Sequence, residues 1–350
     1  MAERSPSRLS VMLTVGFHIS TALAVTIINK TVLNTLPVPV MLLLCQSIMS
    51  IGFVMVASAL KLYTLPKLDR KFIRGVSPLL AMKVIAQVSK TYCLLNVNAS
   101  FYQIARGLLL PFTILLSFVF LSKTRPTGWA LIACAITTFG FVLGVSGEAM
   151  GRTSNVGIMW GVWSSMTTAL ETVLVKYLAL EAGVLDLVFV TSLATTPVYA
   201  IMVVLNGELW QTAALGLTHP VMMTFEKQTF LAGIVNFALS AAAYLQIRVT
   251  SPTTHMISTA ARGVLQSLLA VAFLGAERLT RSRVSSIAVI LTGTMLYTFA
   301  KEMEKRSGSV RGSLPLHNVT EPRRDVASPY LEKDGSSEAK IPSKDDPHLV

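Results

Sequence analysis

Apolar positions along the first three hundred residues of this chain come in runs of about twenty, broken by short polar clusters. Ten such runs occur, near 9–32, 38–62, 75–96, 99–122, 126–146, 155–180, 184–206, 228–249, 252–275 and 281–301. At 1.5 Å per residue, a helix of that length crosses a hydrocarbon layer about 30 Å thick. A backbone in lipid has to satisfy its own hydrogen bonds, so the runs are read as helices. Connectors as short as Asn96-Val97-Asn98 and Glu181-Ala182-Gly183 leave room only for tight helical hairpins. The predicted fold is all-α, a polytopic membrane protein with ten transmembrane helices.

Composition agrees: 52% of residues are hydrophobic and only 14% charged, with a mean hydropathy of +0.60, where soluble domains carry about 25% charged residues. The net charge of +12 is read as a topology signal, not as a nucleic-acid footprint. If the N-terminus is cytosolic, thirteen basic residues fall on that side of the spans and six on the other. The excess places both termini in the cytosol. Arg4 and Arg8 ahead of an apolar stretch imitate a signal peptide, but the stretch continues to Val32, so the first span is read as uncleaved. Residues 1–8 form a cytosolic N-terminus and 9–302 the ten-helix body. The polar stretch 303–350 reads as a disordered cytosolic tail.

Two arginines, Arg106 and Arg262, lie within apolar runs, each in an Ala-Arg-Gly triplet. Since a charge at membrane depth costs roughly 3 kcal/mol, such residues mark a binding or ion path by default. The triplets are part of a wider internal match. Phe120-Leu121 answers to Phe273-Leu274 and Gly140 to Gly293, which pairs spans three to five with spans eight to ten. The body therefore divides into halves of about 9–146 and 155–302. With five helices each, the halves insert with opposite orientation, as inverted repeats that place a ligand near the midplane and support alternating access.

Polar stripes surround both arginines. Tyr102 and Gln103 share a helix face with Arg106, and His255, Ser258, Thr259 and Gln266 share one with Arg262. Lys83, Gln87 and Lys90 are at helical spacing on span three, Asn236, Ser240 and Tyr244 on span eight, and span one ends in Asn29-Lys30. The charges are cationic, and arginine's planar fork suits phosphate. A phosphorylated anion is the expected substrate. Glu171 is the obvious carboxylate partner for one basic residue, with Lys83 and Lys176 the candidates, while Lys30, Lys90 and Arg248 are near enough to span ends to snorkel.

Catalytic classes have little support. His18 and His255 are isolated, Glu171 is the single deep carboxylate, and Cys45, Cys93 and Cys134 lack metal-ligand spacing, so neither an enzyme nor a metal or other cofactor is expected. Gly107 and Gly263, directly after each arginine, are read as letting helices approach closely, and the pairs Gly140/Gly144 and Gly157/Gly161 have the small-residue spacing of helix packing.

The run Leu245 to Val271, with its Leu-Gln-Ile, Thr-Ser-Pro and Thr-His segments, resembles the ninth-helix region of nucleotide-sugar transporters of the triose-phosphate translocator branch, within the drug/metabolite transporter superfamily. Within that branch it is most similar to GDP-fucose transporters. Asn29-Lys30, Gln46 and Phe101-Tyr102 followed by Arg106 agree, and the likeness covers roughly residues 9–302. It implies antiport of a cytosolic nucleotide sugar for a luminal nucleoside monophosphate in the Golgi membrane, with the ER membrane as the alternative. The implied partners are those ligands and membrane lipid, with no nucleic acid, and a homodimer is left open. Relatives usually carry lysine at the position of Arg262, and the paired asparagines and guanine-recognition segment of GDP-sugar transporters are missing. A UDP-sugar, or a sugar phosphate exchanged for phosphate, therefore stays open as the substrate.

Overall fold

A computed structural model describes residues 8–66, 70–121, 127–148, 154–178, 184–216, 218–249 and 280–312, and between the last two segments Ser258, Arg262, Gly263, Leu265, Gln266 and Leu269. Residues as far as Arg306 form one compact unit. Its elements, among the described residues, are all helices: α1 (Arg8–Thr35), α2 (Pro39–Ala59), α3 (Arg70–Asn96), α4 (Ala99–Arg106), α5 (Leu109–Leu121), α6 (Gly128–Glu148), α7 (Asn155–Leu178), α8 (Val184–Leu205), α9 (Glu208–Leu215), α10 (Pro220–Val249) and α11 (Arg281–Gly312). Ser258, Arg262 and the four described residues near them are helical as well.

Large apolar side chains cover the outside of the helices as well as the core, and several polar side chains are buried. Phe299 is 65% exposed and Trp129, Phe139 and Phe230 face outward too, whereas Gln266 and Gln246 are fully buried and Arg283 is 2% exposed. Water would penalise that arrangement, and a hydrocarbon solvent favours it. Seven of the described helical segments are long and apolar enough to cross a membrane. The chain is thus a polytopic helical membrane protein.

Helix pairing follows the small and stacking residues. α3 packs along α7, where Tyr92 stacks on Trp160 with ring centroids 5.1 Å apart. A side chain at Gly157 would meet Val97 and the Asn96 carbonyl, and one at Gly161 would meet Ala105. α1 packs on α10 and α2 on α8. α6 closes on α11 through Gly140 and Gly144, and the Ser286 hydroxyl donates to the Gly140 carbonyl at 2.6 Å. Small residues allow this because apolar helices in lipid gain little from hydrophobicity and associate through close packing and hydrogen bonds.

Several boundaries differ from the sequence reading. The eighth run is part of a longer helix, α10, that starts at Pro220. The segment before it, between the seventh and eighth runs, holds α9, bracketed by Gly207 and Gly216 at φ values of 75° and 72°, a region that glycine enters without strain. α11 continues to Gly312, so the first residues of the stretch read as a tail are helical. The fourth run is two helices, α4 and α5, joined at Gly107-Leu108 by tighter bonds from the Gly107 amide to the Ile104 carbonyl and from the Leu108 amide to the Ala105 carbonyl. Such an i to i+3 turn inside a helix marks a hinge or a functional site.

Candidate functional site

Helical stripes from α1, α3, α4, α7 and α10 converge on a partly open cavity of about 220 Å³. α1 contributes His18, Ala22, Val25, Thr26 and Asn29, a spacing of three and four that keeps one face inward. α3 contributes Gln87, Lys90, Thr91 and Leu94. α4 and the start of α5 give Tyr102, Arg106 and Leu109. α7 gives Ser164, Ser165 and Thr168, and α10 gives Asn236, Leu239 and Ala243. Arg262 completes the wall.

Both arginines therefore face one space. Arg106 is the last residue of α4, immediately before the tightened turn, and its Cζ is 5.8 Å from the centre of the Tyr102 ring, within cation-π range. The carbonyl of Ala105 accepts a 2.7 Å hydrogen bond from the Ser165 hydroxyl, which ties the turn to α7. Arg262 is 8% exposed, and its Nε and Nη2 atoms have no acceptor among the described residues. An arginine in that state carries a charge-assisted hydrogen-bonding capacity that the protein does not use, and an anion in the cavity would satisfy it.

Lys90 lines the cavity with its ammonium 2.9 Å from a Glu171 carboxylate oxygen. This corrects the expected partners of Glu171. Lys90 takes the carboxylate in place of Lys83, and the Lys176 side chain lies outside the described residues. Lys90 and Glu171 meet because α3 and α7 run side by side, a relationship that spacing along one helix does not contain.

The remaining candidates are distributed as follows. Asn29 and Asn236 line the cavity, and Asn29 accepts a 2.8 Å bond from the Gln46 amide. Gln103 is buried outside the lining, against Gly263. Gln266 donates to the Ala99 carbonyl at 3.2 Å, and Ser258 is buried one turn before Arg262; neither reaches the lining. Lys83 donates to the Thr191 hydroxyl at 2.8 Å and to the Tyr244 hydroxyl at 3.0 Å, so these residues form a separate cluster. The Lys30 ammonium donates to the carbonyls of Leu94 and Val97, both at 2.8 Å, neutralising the C-terminal end of α3. His255 and Thr259 lie outside the described residues.

Sequence reasoning missed the α7 contribution and two buried polar groups. The Ser-Ser-Met-Thr-Thr run at 164–168 was a readable signal, an unusual density of hydroxyls within an apolar stretch. Arg283, one of the six basic residues counted on the non-cytosolic side, is buried and donates from Nη1 to the Ser100 hydroxyl at 2.8 Å, joining the starts of α11 and α4. Glu208 of α9 accepts from the amides of Val40 and Met41 at 3.2 and 2.7 Å, capping the exposed N–H groups of α2 from another element. Burial pushes its carboxyl above the ordinary carboxylate range, while the two amides pull it back. Among the described residues no group of histidine, cysteine and carboxylate side chains is placed to hold a metal.

The model of the Triose-phosphate Transporter family matches residues 7–298. An uncharacterized transporter of Schizosaccharomyces pombe is 42% identical over 88% of this chain and 79% of its own length. GDP-fucose transporter 1 of Mus musculus is 30% identical over 68% of this chain; the match spans 66% of that relative. A solved structure at 19% identity superposes with a TM-score of 0.55, covering 86% of this chain and 99% of the other, a likeness of fold alone.

Proposed function

This chain belongs to the Triose-phosphate Transporter family, and on that footing we propose that it is a nucleotide-sugar transporter that exchanges a cytosolic nucleotide sugar for a luminal nucleoside monophosphate. The observation that carries the reading is the cavity holding Arg106 and Arg262 together, with two guanidinium nitrogens of Arg262 lacking an acceptor among the described residues. The two arginines clamp the phosphates, and Tyr102 and Asn236 bear on the rest of the ligand. A positively charged cavity is costly to reorient empty and cheaper to reorient with an anion aboard, which makes movement conditional on exchange. Ten spans in two inverted five-helix halves, with both termini cytosolic, supply the alternating access.

The names of several relatives support a guanosine diphosphate sugar of the GDP-fucose kind and a Golgi membrane. An Arabidopsis thaliana relative named as a UDP-galactose/UDP-glucose transporter, 24% identical over 87% of this chain, keeps UDP-sugars as the alternative. The cavity volume favours a second reading. At about 220 Å³ it is smaller than the roughly 300–1,000 Å³ of pockets for drug-sized ligands. A sugar phosphate would fit with less helix movement than a nucleotide sugar.

Purified protein in liposomes preloaded with GMP, UMP or phosphate, offered labelled nucleotide sugars and sugar phosphates, tests the reading. Uptake of a nucleotide sugar only into nucleotide-loaded vesicles is expected, with its loss in Arg262→Gln and Arg106→Gln. Equal uptake into empty vesicles removes obligatory exchange. Uptake of sugar phosphates alone transfers the function to the second reading.

A further inference from the structure

Three charged cations line the cavity among the described residues, yet one of them is already neutralised. Lys90 is paired with Glu171 at 2.9 Å, and Glu171 itself is not part of the lining. Arg106 and Arg262 lack a carboxylate partner among the described residues, and two other lysines near this region, buried Lys30 and half-buried Lys83, are held outside the lining by backbone carbonyls and by hydroxyls. The wall formed by Lys90, Arg106 and Arg262, with Glu171 paired to Lys90, carries two net positive charges.

We infer that the Lys90–Glu171 pair sets the charge of the ligand this cavity accepts: Glu171 cancels Lys90, so the wall matches a dianion and discriminates against trianions. The inference rests on the proposed function and deepens it. A nucleotide sugar carries about two negative charges on its diphosphate, and a nucleoside monophosphate approaches two at neutral pH, because its second ionisation lies near pH 6. The two exchange partners are thus equal in charge, and each neutralises the same wall in turn. A nucleoside diphosphate carries about one charge more, and these side chains leave that surplus uncompensated. Glu171 is a positioning residue here: it acts through the Lys90 ammonium and needs no contact with the ligand.

The test is competition against nucleotide-sugar uptake in GMP- or UMP-loaded liposomes by GMP and GDP, or UMP and UDP, read as the ratio of half-inhibitory concentrations. Glu171→Gln raises the wall by one positive charge, and the diphosphate should gain on the monophosphate by about tenfold. Lys90→Gln lowers the wall by one charge and should shift the ratio the opposite way, which provides the test if Glu171→Gln is not recovered folded. The double variant Lys90→Gln/Glu171→Gln restores the net charge and should return the ratio to within about twofold of the wild-type value. A merely structural pair would alter expression or turnover while leaving the ratio unchanged. An unchanged ratio in both single variants, or a double variant that keeps the shifted ratio, overturns the inference with the transport function intact. If neither nucleotide inhibits the wild type, the proposed function fails and the inference with it.

Discussion

The hydroxyl of Ser165 on α7 donates a 2.7 Å hydrogen bond to the carbonyl of Ala105, the residue before Arg106. That carbonyl also receives the Leu108 amide at 3.2 Å as the chain tightens between α4 and α5. The bond thus fixes the backbone from which a cavity arginine projects. Ser165→Ala leaves the carbonyl its backbone donor, so the stability loss should be about 1 kcal/mol. Transport should fall further than stability, seen as a raised KM in liposomes beside a near-normal melting curve in detergent. Wild-type KM would show that the Arg106 position does not depend on this tether.

Lys30 and the end of α3 offer a contrasting case. Its ammonium satisfies two carbonyls at 2.8 Å in a buried setting, and leaving each unsatisfied costs about 1–3 kcal/mol. Lys30→Met should lower the melting temperature markedly, while protein that remains folded keeps its substrate KM. A raised KM at unchanged stability would return Lys30 to the ligand site.

The α6–α11 contact should be sensitive to any added side chain. A Cβ at Gly140 would stand 2.8 Å from an Ile290 side-chain carbon and 3.0 Å from the Ile290 amide nitrogen, where backbone has to move. Gly140→Ala should destabilise by about 1–3 kcal/mol. Gly52 has nothing within 4 Å of the same construction, and Gly52→Ala within α2 should be neutral or stabilising by up to about 1 kcal/mol. Thermal denaturation of the two variants side by side checks the contrast.

Glu208 provides a pH signature outside the spans. Its carboxyl is raised by burial, so between its unfolded value and its native one the folded state binds more protons. Its contribution to stability therefore grows as pH falls through that window and is lost as pH rises above the native value. Subtracting the melting temperature of Glu208→Gln from that of the wild type isolates this group. The difference should increase on acidification from neutrality towards about pH 4.5 and then level off. A difference that shrinks on acidification would mean the two amide bonds outweigh burial. Glu208→Ala, which also removes the cap of α2, should cost about 1–2 kcal/mol at neutral pH.

Much of the candidate site was legible because two of its signals are local. Arg106 and Arg262 stand out as charges inside apolar runs, and Tyr102, Asn29 and Asn236 lie on inward stripes that helical spacing predicts. Other residues looked equivalent by the same rule and are not. Lys83, Gln87 and Lys90 share one face of α3, but Lys83 meets α8 and α10 while Gln87 and Lys90 face the cavity. A face runs the whole length of a helix, and a cavity spans only two or three turns of it. The α7 hydroxyls were overlooked for a related reason: serine and threonine in apolar helices usually bond their own backbone, as Thr167 and Thr172 do here.

The sequence by itself determined that this is a helical membrane protein with buried cations, since the length and period of apolar runs are properties of the chain that lipid reads directly. The tertiary structure decided which cation meets which partner: Lys90 with Glu171, Lys30 with the end of α3, and Arg106 with Arg262 across one cavity. Those choices depend on how far each helix is rotated and shifted against its neighbours, and that is set by small-residue contacts such as Gly161 on Ala105 and Gly140 on Ile290. Periodicity along one helix carries no record of them.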